Sequence, residues 1–173
     1  MRNLTIAFFV TLTGLLAACS NENPVVTNVE SAGTVVRLDP ALNALVPMDA
    51  VVEKLAGDFK VVEGPVWMPG PQGRILFSDI PANTVYSWSE DMGTEVCLQP
   101  VTPDDSDTGA VGGSNGLVLD IEGRLVLCEH GNRRIARMES DGSRTTLADH
   151  YNGKRLNSPN DIVVHSTGAA FFT

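Results

Sequence analysis

The chain has 173 residues, with 12 Lys and Arg against 21 Asp and Glu, a formal charge of −9 and three cysteines. That length suits about one domain, and 43% hydrophobic with 19% charged residues is a globular composition that argues against general disorder. A pI near 4.6 argues against a nucleic-acid partner held by phosphate neutralisation, three cysteines are too few for a disulfide scaffold, and sixteen Gly with ten Pro favour a turn-rich β protein.

Residues 1–18 read as an address. A short basic start, Met1-Arg2, precedes an apolar run over residues 4–16, too short for a membrane span. Leu16-Ala17-Ala18-Cys19 resembles the bacterial lipobox, in which the cysteine is acylated after cleavage. The resemblance implies a chain lipid-anchored at Cys19 in the bacterial cell envelope on the periplasmic side, with no other membrane contact. Ser20, in place of the Asp commoner in inner-membrane lipoproteins, points to the outer membrane. An ordinary secretory signal with an incidental cysteine is the alternative. Residues 19–37, polar and rich in Asn, Ser and Thr, read as a tether. Residues 38–173 form the domain. Cys97 and Cys128 each close an apolar run and are expected as two buried free thiols, pairing in an oxidising compartment being left open.

Near the start of the domain, Asp39-Pro40-Ala41-Leu42-Asn43-Ala44-Leu45 predicts a helix of one or two turns with an Asp cap and Pro at its start. Val51-Val52-Glu53-Lys54-Leu55 alternates like an edge strand, of the kind that closes many propellers. Then the sequence repeats. Glu63-Gly64-Pro65-Val66-Trp67, a turn at Gly73 and Arg74-Ile75-Leu76-Phe77-Ser78-Asp79 are followed by two more strand-like runs beginning at Asn83 and Thr94. The order returns from Ser114-Asn115-Gly116-Leu117 through a turn at Gly123, and starts again at Ser158-Pro159-Asn160-Asp161-Ile162 with a turn at Gly168. The turns fall 50 and 45 residues apart. Four short strands recurring at that spacing predict an all-β protein built as a β-propeller, here about two and a half blades. Propellers have roughly four to eight blades, so the chain is expected to be a fragment of a longer protein.

Inner-strand starts of a propeller converge on its axis, so Glu63, Asn115 and Asn160 can meet although far apart in sequence. Carboxylate and amide oxygens suit a hard cation such as calcium. No His and Cys spacing suits zinc. Asp104-Asp105-Ser106-Asp107 lacks the full twelve-residue calcium-loop pattern and reads as a solvated loop between blades. His150 and His165 carry no functional signal, and Asp79 reads as structural.

Three phrases carry a family resemblance: Glu63-Gly64-Pro65-Val66-Trp67, Cys128-Glu129-His130-Gly131-Asn132-Arg133-Arg134, and Gly153-Lys154-Arg155-Leu156-Asn157-Ser158-Pro159-Asn160-Asp161. Together they resemble the gluconolactonase family, which includes senescence marker protein 30. The resemblance implies a six-bladed propeller, one divalent metal (usually calcium) at the mouth of the central channel, and hydrolysis of sugar lactones. It implies metal ligation by Glu63 and by Asn160, the latter at the metal or the substrate. Further ligands, and an Asp acting as general base, are implied in later blades beyond Thr173. His130, Asn115 and Arg155 are candidates for substrate contact. Each has a plainer reading. Glu63 could cap a strand or pair with Arg155, and Asn160 could form an Asx turn with Asp161. Asn115 could be a turn residue, His130 a satisfied loop histidine, and Arg155 a solvated surface group. Asp161 reads as a turn residue or a group orienting Asn160.

Three functions fit these features. The first is a metal-dependent lactonase of the cell envelope, active in the complete protein and acting on a small lactone. The second is a non-catalytic propeller lipoprotein that binds a sugar or protein. The third is a related metal-dependent esterase or phosphotriesterase on the same scaffold.

Overall fold

The computed structural model describes residues 31–103 and 112–173. The leader, Cys19 and the Asp104-Asp105-Ser106-Asp107 run lie outside the described residues. The chain divides into two compact units, Met1–Glu53 and Lys54–Thr173. In the first, β1 (Ser31–Gly33) pairs antiparallel with β2 (Val52–Glu53). Ser31–Gly33 is therefore strand, although the composition places it in the tether. Between the two strands, Pro40–Ala44 forms a 3-10 turn whose cap is Asp39, accepting the Ala41 N–H at 2.7 Å. Arg37 donates to Asn43 Oδ1 and to the Val46 carbonyl, both at 3.0 Å.

The second unit is all antiparallel sheet. Strands β3 (Val62–Met68), β4 (Arg74–Asp79), β5 (Thr84–Ser89) and β6 (Gly93–Leu98) form a four-stranded sheet in sequence order. The same up-and-down order is repeated by β7 (Ser114–Leu119), β8 (Leu125–Glu129), β9 (Arg134–Met138) and β10 (Arg144–Ala148). A two-residue hairpin, β11 (His150–Tyr151) with β12 (Lys154–Arg155), precedes the pair β13 (Ile162–Val164) and β14 (Ala170–Phe172). The repeat reading from sequence thus holds strand for strand, except for the β11–β12 hairpin, which it does not foresee.

Side-chain alternation explains why β8 reads as a continuous apolar run. Leu125 and Leu127 point to one side and pack with Leu76, Val85, Val101 and Leu117. Val126 and Cys128 point to the other and pack with Ile135 and Ile162. Both faces of the second sheet are therefore covered, by the first sheet on one side and by β13 on the other. The outer strands β6 and β10 are mostly exposed. This corrects one expectation: Cys97 is exposed because it lies on edge strand β6, whereas Cys128 is buried, and both thiols are free. On the face of the first sheet turned away from Leu76, Phe77 meets Phe59 and Tyr86 with ring centroids 5.0 and 5.8 Å away.

Candidate functional site

A β-bulge opens each complete repeat. Pairing of β3 with β4 runs Glu63 to Ser78 and then Val66 to Leu76, leaving one extra residue on β3. Pairing of β7 with β8 runs Ser114 to Glu129 and then Leu117 to Leu127, with the same excess on β7. Glu63 stands at the start of its bulge and Asn115 lies one residue inside its own.

The bulged corners stack on one another. Gly64 has a φ of 58°, and a Cβ there would collide with the Asn115 carbonyl and sit 2.9 Å from Gly116 Cα. Gly116 meets the next corner in the same way: its N–H donates to the Asn160 carbonyl at 2.7 Å, and a Cβ would sit 2.9 Å from that oxygen and from Asp161 Oδ1. Ser78 Oγ ties the first corner to the second, lying 2.8 Å from Ser114 Oγ and donating to the Asn115 carbonyl at 2.9 Å. The third corner is held by Thr173, the residue after β14: Asn160 N–H donates to the Thr173 carbonyl at 2.7 Å, and Thr173 N–H donates to the Asp161 carbonyl at 3.0 Å.

These contacts gather Glu63, Asn115, Asn160 and Asp161 around one cleft of about 320 Å³, walled by Pro65, Leu117 and Ile162. Glu63 and Asn160 are exposed, whereas Asn115 is only 6% exposed. The Asn115 carbonyl accepts from Ser78 Oγ, and the residue lines the cleft. No cation lines the cleft, and no ion pair among the described residues involves Glu63; the Arg155 pairing does not form. Two carboxylates and two amides are an oxygen donor set suited to a hard divalent cation. No cluster of three His, Cys, Asp or Glu occurs among the described residues, so a nitrogen- and sulfur-rich centre has no counterpart here.

The other two candidates sit elsewhere. His130 belongs to the β8–β9 turn and does not line the cleft. It is half-buried, with Nδ1 sealed and without a partner among the described residues. Gly131 beside it donates to the Gly113 carbonyl at 3.3 Å. Arg155, on exposed β12, reaches back to that turn and donates to the Asn132 carbonyl at 3.1 Å. Asn115 and the β8–β9 turn share one end of the second sheet, because Ser114 pairs with Glu129.

Two acids take positions that the sequence did not fix. Asp161, taken as a turn residue or an orienting group, lines the cleft itself. Its charge also reaches Cys128, whose thiol is pushed up to about 12, first by burial and then by Asp161. Glu129 is fully buried and accepts from Arg134 Nε at 2.6 Å, Arg144 Nη1 at 2.6 Å and Asn132 Nδ2 at 2.7 Å. The available signal was a lone acid ending the apolar run of β8, with arginines a few positions on.

Repeated four-stranded antiparallel sheets with an oxygen-lined cleft at their strand starts define a propeller-like all-β protein. Residues 61–173 match the family model of the SMP-30/gluconolactonase/LRE-like region, and the chain belongs to that family. A gluconolactonase of Zymomonas mobilis is 32% identical over 167 residues, covering 94% of this chain and 46% of its own length. The solved structure of a gluconolactonase from Xanthomonas campestris is 35% identical with a TM-score of 0.69, covering 83% of this chain and 45% of its own. A virginiamycin B lyase from Staphylococcus aureus, at 18% identity and TM-score 0.51, covers 74% of this chain and shares the fold alone. The chain spans a little under half the length of the gluconolactonases it matches.

Proposed function

We propose that the complete protein is a divalent-cation-dependent hydrolase of sugar lactones, built as a six-bladed propeller. The observation that carries this reading is the meeting of Glu63, Asn115 and Asn160 at one cleft, their side chains offering a carboxylate and two amide oxygens. The Glu63 carboxylate and the Asn115 and Asn160 amides would hold the cation, calcium being the best match to that donor set. Bound there, the cation would polarise the lactone carbonyl. Exposed Glu63 and Asn160 leave the cleft open to a small polar substrate, and the acidic chain suits a neutral lactone better than a polyanion. The general base that activates water is proposed in the part of the relatives' length that this chain does not span. His130 and Arg155 are proposed to meet the sugar on the same end of the sheets. An acyl chain on Cys19 would hold the enzyme at the cell envelope.

Calcium titration of the complete protein tests the reading. Calcium should raise the melting midpoint by several degrees and support gluconolactone hydrolysis, and Glu63→Gln should remove both effects. A complete protein that neither responds to calcium nor opens the lactone would sink the proposal and leave a sugar- or protein-binding role.

A further inference from the structure

The residue after each candidate ligand is Gly64, then Gly116, then Asp161. The first two are glycine because the next corner is pressed against them; a Cβ at either place would meet backbone at 2.9 Å or less. The third departs from the repeat by carrying a carboxylate, which lies on the wall of the cleft that Glu63 lines from the first corner. Local structure uses only part of that side chain. Asp161 Oδ1 accepts the Ile162 N–H at 2.8 Å, a task for which a neutral Asn or Ser oxygen would serve equally. Two carboxylates lining one cleft offer a bound cation two negative oxygen donors in place of one. No Lys, Arg or His lines this cleft, and neither acid has an ion-pair partner among the described residues.

We infer that Asp161 is a second carboxylate of the cation site, setting its affinity for a divalent ion through charge, beyond its role in the local turn. The inference rests on the cation reading of the cleft and adds a residue to it. Charged ligands are the main lever on affinity at oxygen-donor sites, so loss of one carboxylate is expected to weaken calcium binding by about tenfold or more.

Isothermal titration of calcium into the metal-free complete protein, with the metal-free melting midpoint measured alongside, separates charge from structure. Asp161→Asn and Asp161→Ser keep an oxygen acceptor for the Ile162 N–H. Both should leave the metal-free midpoint nearly unchanged while weakening calcium at least tenfold. Asp161→Glu should restore most of the affinity. Wild-type affinity in either folded neutral variant overturns the role of Asp161, while loss of binding in Glu63→Gln keeps the cation site standing. Absence of calcium binding in the wild-type protein overturns the site as a whole.

Discussion

Cys97 and Cys128 are alike in sequence, each ending a short strand-like run, yet their environments differ. Cys97 lies exposed on an edge strand, whereas Cys128 is buried between two sheets with its thiol pushed up to about 12. The thiolate is the reactive form, so native protein at pH 8 should label with iodoacetamide at Cys97 and not at Cys128, as peptide mapping would show. Fast labelling of Cys128 without denaturant would contradict its burial. The raised value also has a sign for stability. Unfolded Cys128 ionises near 9 and the folded thiol near 12. Its contribution is therefore intact below about pH 9 and is lost as the pH climbs toward 12. Melting midpoints should fall through that window. Glu63, Asn115 and Asn160 could be picked out from sequence because strand starts converge in a repeat. Asp161 could not be ranked, because an Asp after Pro-Asn reads as a turn until the wall of the cleft is seen. Gly73 shows a similar limit: spacing locates its turn, but only the structure shows the Trp67 ring lying where a Cβ would go.

At the level of elements, Glu129 joins the ends of three strands. It closes β8, accepts from Arg134 at the start of β9 and from Arg144 at the start of β10, and fixes Asn132 in the turn between. Arg144 also donates to the Val101 carbonyl at 2.5 Å, which extends the tie to the loop leaving the first sheet. Removing one partner of a buried ion pair is costly because the remaining charge stays desolvated. Glu129→Gln should lower stability by about 3–5 kcal/mol in urea unfolding. A loss below about 1 kcal/mol would mean that the arginines rotate out to water, as in an exposed pair. The strand order of both sheets was legible because turns recur at a fixed interval and buried strands read as apolar runs. The β11–β12 hairpin was not, since two-residue strands are too short to show alternation and their side chains are exposed.

For the molecule as a whole, burial is uneven. The second sheet is covered on both faces, whereas β3 carries exposed Val62 and Trp67, and Val163 and Phe171 are exposed on β13 and β14. Apolar sheet faces of this kind favour association. The 173-residue chain should bind ANS and elute from size exclusion at a volume that depends on concentration. A monodisperse short chain that does not bind ANS would show that these faces are satisfied in another way. The two complete repeats were plain from sequence. The number of blades was not, because spacing counts only the repeats the sequence contains and the six-bladed expectation came from the family resemblance alone. Strand β8, whose alternate residues belong to two different cores, sets how freely the sequence can drift. A change at Leu127 or Cys128 acts on two neighbouring sheets at once and needs compensation in both, while β6 and β10 can absorb substitutions singly. Within this scaffold, variation between relatives should therefore collect at the rim and thin out toward β8.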